Sequence, residues 1–138
     1  NINIVTPTLT ALKSAYMRIS NNGRTAVGIY RLYSGTDGES HLEEMDLSQH
    51  PDLTEAQLTA NITFREWEVD HFIDCHPAPR RQYIISLSGR VEIGLGDGTS
   101  VVYNPGDARL VEDTTGRGHT TRVIGSEPCI HVVIPLAD

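Results

Sequence analysis

Lysine is nearly absent from this 138-residue chain: Lys13 is the only one, and acidic residues outnumber basic ones to leave a formal net charge of -7. The arginines occur singly or as the pair Arg80 and Arg81, so no basic stripe follows a phosphate backbone, which argues against nucleic acid as a partner. An all but lysine-free basic set suits recognition of planar anions, but the favoured reading is compositional, that of a GC-rich genome. Cysteine is scarce as well. Cys75 and Cys129 are too few for a disulfide scaffold, and a chain of this size buries enough surface without a staple, so reduced thiols are expected. No apolar run approaches the roughly 20 residues of a membrane-spanning helix, and the opening NINIVTPTLTALK lacks the charged, greasy and small regions of a secretory signal. The expectation is a soluble cytoplasmic protein with no membrane partner and one hydrophobic core.

What is abundant is β-strand text punctuated by turns. Residues 1 to 60 are expected to form an N-terminal extension: a short helix on Leu9, Leu12, Tyr16 and Ile19, then edge strands in AVGIYRLYSG and HLEEMDL around the Asp37-Gly38 turn. Residues 61 to 138 are expected to form the core of the same domain. There ITFREWEVDHFID, RQYIISLSG, RVEIGLG, SVVYNPG, ARLVED, HTTRVIG and CIHVVIPL follow one another between Gly, Pro and Asp turns, as in an antiparallel sandwich or barrel. GLGDGTS is a hairpin turn and not a phosphate loop, because it contains no lysine and no helix follows it.

Two blocks in this region, HPAPRRQYIISLSG and PGDARLVEDTTGRGHTTRV, resemble the paired motifs of the cupin superfamily. The resemblance spans roughly residues 61 to 136 and implies an all-β, single-domain fold, a double-stranded β-helix or jelly-roll barrel. It places Gly89 as the closing glycine of the first block, His76 in the first histidine position and Gln82 where cupins carry glutamate. Ala78 stands in place of the second histidine. In the second block Gly116 and His119 match, Glu112 replaces the usual proline, and Val123 replaces a late asparagine. Cupins commonly hold iron, manganese, zinc or nickel on three histidines and a glutamate. Here the resemblance would leave only His76, Gln82 and His119 as ligands, and the favoured expectation is no cofactor.

Period-two alternation from His76 puts Ala78, Arg80, Gln82, Ile84 and Ser86 on one face, which the resemblance makes the interior, and turns Cys75 and Arg81 away. His119 and Thr121 would face the same cavity, with Glu112 near its mouth. His76, His119 and Glu112 are therefore the expected catalytic groups, while Gln82, Arg80, Thr121, Ser86 and His41 are expected to bind substrate. His50 and His71 are expected in exposed settings, and His131 sits in a terminal strand without a matching motif. The favoured function is a metal-independent isomerase, dehydratase or cyclase acting on a small organic metabolite. The alternatives are a metal-dependent oxygenase and a non-catalytic ligand-binding barrel. Pairing of edge strands, common in the family, implies a homodimer.

Overall fold

The computed structural model describes residues 27–138, so the helix expected within residues 1 to 20 lies outside the described residues. Strands form where apolar residues alternate. In β1 (Ile29–Ser34), Tyr30 and Leu32 are buried, and Gly35 to Glu39 then turn the chain into β2 (Ser40–Glu44). Leu47–Gln49 and Pro51–Leu53 each make a single 3-10 turn, the first capped by the Asp46 side chain on the Ser48 N–H. Eight strands follow: β3 (Thr63–Trp67), β4 (Phe72–His76), β5 (Gln82–Ser88), β6 (Arg90–Gly94), β7 (Ser100–Tyr103), β8 (Ala108–Glu112), β9 (His119–Ile124) and β10 (Cys129–Pro135).

These strands divide into a six-stranded sheet, ordered β2-β1-β8-β5-β10-β3, and a four-stranded sheet, ordered β4-β9-β6-β7. All pairings are antiparallel except β1 with β8, which is parallel. The chain passes repeatedly between sheets, as in a jelly roll. The barrel expected from the sequence takes an open form: among the described residues the strands make two separate hydrogen-bonded sheets.

One expected strand is two. Within ITFREWEVDHFID the chain turns at Asp70, whose φ is +68°, and this sends β3 to one sheet and β4 to the other. A second break follows His76, where Pro77 and Pro79 withhold backbone donors and the segment to Arg81 crosses from β4 to β5.

The apolar core fills the space between the sheets with Tyr30, Leu32, Val91, Ile93, Val101, Tyr103 and Val123, and the rings of Tyr30 and Tyr103 meet edge to face at 5.2 Å. Along β9 the inward positions change from His119 and Thr121 to Val123; along β5 they run from Gln82 through Ile84 to Ser86. The polar starts of these strands border a cavity beside the packed core.

Candidate active site

A cavity of about 270 Å³ opens between the sheets. One wall belongs to the four-stranded sheet and carries Ile73, His76, His119 and Thr121; the other belongs to the six-stranded sheet and carries Arg65, Trp67, Gln82, Ile84, Arg109, Val111 and His131.

His76 ends β4 and His119 begins β9, and the register pairs them directly. Their ring centroids lie 5.0 Å apart, with the rings tilted by 48°. Gly118 makes this approach possible. Its φ is +78°, and a Cβ there would stand 1.9 Å from the His76 carbonyl oxygen, so only glycine fits.

Both rings are held through Nδ1. In His76 it lies 2.7 Å from the Asp74 carbonyl oxygen, which can only accept, so the neutral ring carries its proton on Nδ1. In His119 it lies 2.6 Å from Oδ2 of Asp113, an acceptor when ionised, which fixes the same tautomer. Each neutral ring is left with a bare lone pair on Nε2. Asp113 is fully buried, accepts at the same oxygen from the Ser40 hydroxyl at 2.6 Å, and receives the Ala78 N–H on its backbone carbonyl at 2.9 Å. The turn after His76 is thereby tied to the end of β8.

His76, His119, Gln82 and Thr121 are brought together as the alternation and the two blocks suggested. Four other expected site residues lie elsewhere. Arg80 is exposed in the Pro77–Arg81 crossing, where the two prolines interrupt the alternation that placed it inside. Glu112 is on the outward face of β8 and forms ion pairs with Arg31 and, at 2.8 Å, with Arg81. Burial works to raise its carboxyl pKa, but the hydrogen bonds from Arg31 and Arg81 outweigh that and hold it below the usual value. The inward carboxylate is its neighbour Asp113, a one-residue change of face. Ser86 is buried on β5 beyond the cavity lining, and its N–H bonds the Asp107 carbonyl. His41 is on the outer hairpin, bonded to Asp37 at 3.0 Å and stacked on Tyr33.

Arg109 and His131 enter the cavity without having been expected there. Arg109 follows the Pro-Gly-Asp turn by two residues and shares the inward face of β8 with Val111. The β10 alternation Cys129, His131, Val133 was the available signal for His131. Burial and the Arg109 and Arg65 charges push the His131 pKa down to about 4, so the ring is neutral near pH 7.

Among the described residues, no group of three or more His, Cys, Asp or Glu side chains could hold a metal ion. The four-ligand cupin set does not fit this wall: Ala78 offers no donor, and Gln82 offers an amide in place of a charged carboxylate. The two blocks nevertheless fall on adjoining elements of a two-sheet fold that resembles a jelly roll, with His76, Gln82 and His119 facing one interior.

The fold is a two-sheet β arrangement that resembles a jelly roll.

No protein-family model matches the chain, and no curated protein matches it. Solved structures of similar shape include the polyketide cyclase RemF from Streptomyces resistomycificus, at 20% identity and TM-score 0.48, covering 77% of this chain and 70% of that one. A sugar phosphate isomerase of the cupin superfamily from Silicibacter pomeroyi is 15% identical with TM-score 0.46, covering 79% of this chain and 71% of that one. An RmlC-like cupin from Desulfovibrio desulfuricans is 10% identical with TM-score 0.41, covering 98% of this chain and 94% of that one. Likeness at this distance leaves the chemistry of the cavity to its own residues. No helix among the described residues is long and apolar enough to cross a membrane.

Proposed function

We propose that this chain is a cupin enzyme of proton transfer, an isomerase, dehydratase or cyclase that acts on a small organic metabolite without a metal. The supporting observation is the Asp113–His119 pair facing His76 across 5.0 Å in one cavity. A neutral imidazole presenting Nε2 takes a proton from carbon or oxygen, and the other ring, in its doubly protonated imidazolium form, gives the proton on its Nε2 to a neighbouring atom and is left neutral. Asp113 holds His119 in the tautomer this requires and balances the charge the ring gains. Gln82 and Thr121 add polar contacts that orient the substrate, while Ile73, Ile84, Trp67 and Val111 exclude water around it.

The test is solvent-deuterium incorporation. A panel of small metabolites with acidic C–H bonds, incubated in D2O and followed by NMR, should contain compounds that the protein labels. His119→Ala should lose the labelling while retaining the wild-type circular dichroism. Labelling at the wild-type rate by that variant overturns the proposal, and a compound bound tightly but never labelled or converted supports a binding protein instead.

The homodimer is part of the same reading. β3 is an edge strand of the six-stranded sheet, and Ile62 and Phe64 expose 58% and 65% of their surfaces there. Light scattering after size exclusion should give twice the chain mass; a monomer at micromolar concentration contradicts this part.

A further inference from the structure

The proton-transfer wall uses His76 and His119 and leaves the opposite wall unexplained. Arg109 is 2% exposed and His131 1%, yet among the described residues Nη1 of Arg109 and Nε2 of His131 have no hydrogen-bond partner. A buried guanidinium ordinarily has a carboxylate beside it. Among the described residues, Arg31, Arg81 and Arg117 pair with Glu43, Glu112, Asp138 and Glu39, and none of these ion pairs involves Arg109. Asp107 acts on Arg109 through space, while its own oxygens accept the N–H groups of Gly28 and Asn104. The Tyr103 ring covers one face of the guanidinium at 4.7 Å.

Both unpartnered atoms can act as donors. Burial pushes the Cys129 pKa up and keeps the thiol protonated, and its sulfur lies 3.6 Å from Nδ1 of His131. A thiol donating to Nδ1 leaves the ring's single proton on Nε2. The cavity wall therefore presents an Arg N–H and a His N–H, with Arg65 paired to His131 across β3 and β10 adding a second positive charge. Among the described residues, no acidic side chain lines this cavity.

We infer that Arg109 and His131 form a buried subsite for the carboxylate of a small metabolite, opposite the His76–His119 pair. This names the substrate class for the proton-transfer reading above and rests on it. A carboxylate brings one charge and two oxygens to the two donors, whereas the additional oxygens of a phosphate dianion would need donors of their own. With the carboxylate seated on the six-stranded sheet, the carbon beside it lies toward the His76–His119 pair on the opposite wall. The substrate is accordingly a short carboxylic acid whose acidic C–H is near its carboxylate.

The experiment uses acetate, pyruvate and malonate, with inorganic phosphate, chloride and the neutral acetamide as comparisons. Carboxylates should raise the melting temperature and shift the His131 ring resonances of the wild-type protein, while acetamide and chloride do neither. Arg109→Met should reduce carboxylate affinity about tenfold or more, the loss of one charge-assisted hydrogen bond. It should also raise the ligand-free melting temperature, because a desolvated guanidinium with an unsatisfied Nη1 is gone; a merely structural arginine would give the opposite sign. His119→Ala should keep carboxylate binding. Carboxylates without effect on wild-type melting and ring shifts, or with equal effect on wild type and Arg109→Met, overturn the inference, as does tight binding of phosphate alone. The ring shifts need no variant, so misfolding of Arg109→Met leaves the test intact. Labelling of a non-carboxylate in D2O without carboxylate binding would sink this subsite and spare the proton-transfer reading; binding without labelling would do the reverse.

Discussion

Asp113 holds His119 by a 2.6 Å contact between Oδ2 and Nδ1, and the same oxygen accepts the Ser40 hydroxyl. Strand β2 thereby supports the orientation of a ring on β9, although β2 and β9 belong to different sheets.

Asp113→Asn should reduce turnover by about a hundredfold or more, the range associated with general acid–base groups. An amide placed as the carboxylate is can donate to Nδ1 and drive the proton to Nε2, the atom that must be bare. Steady-state kinetics with circular dichroism check this; wild-type turnover in a folded variant would show that the orientation is not required.

Gly118→Ala should be strongly destabilising. The backbone there is at φ +78°, and the added Cβ would meet the His76 carbonyl at 1.9 Å. The strain can be relieved only by parting β4 from β9, which separates His76 from His119. A loss of about 2 kcal/mol or more is expected in urea denaturation, with loss of activity beyond that attributable to unfolding.

Glu112→Gln should leave catalysis unchanged and cost about 1 kcal/mol of stability, because its carboxylate serves Arg31 and Arg81 on the outer face. The difference should narrow as pH falls. The folded carboxyl pKa is lowered, so the stability it confers is present above the unfolded value of 4.5 and is lost as pH drops through the folded one.

His131 sets a second pH window. Burial first, then the charges of Arg109 and Arg65, lower its pKa from 6.5 to about 4, and the adjacent Cys129 thiol is neutral. Below pH 6.5 the unfolded chain takes up a proton that the folded chain refuses until about pH 4. Stability conferred by the neutral ring is therefore complete above 6.5, falls between 6.5 and about 4, and levels off below, a change on the order of 3 kcal/mol. His131→Phe should flatten that part of the stability profile; an unchanged slope would mean that the ring titrates alike in both states.

The order of strands was legible because turn residues and alternation report local geometry: each short run after residue 61 contains an observed strand. His76, Gln82, His119 and Thr121 were legible because two blocks in the right order carry them to one cavity. Arg80 was misplaced because alternation was extended through Pro77 and Pro79, where pleating stops. Glu112 was preferred to Asp113 because nothing local tells which of two adjacent carboxylates points inward; the register of β8 against β5 decides it. Arg109 and His131 required the tertiary fold, since their meeting depends on β8 and β10 flanking β5 on one face.

The most direct measurement is nitrogen-15 NMR of labelled histidine in the ligand-free protein, at a pH where His76 and His119 are neutral. Shifts should show the proton on Nδ1 and a bare Nε2 in both rings, with the His119 pattern altered by Asp113→Asn. Protonated Nε2 atoms on both rings would contradict the account, since neither could then accept a proton at the atom the cavity presents.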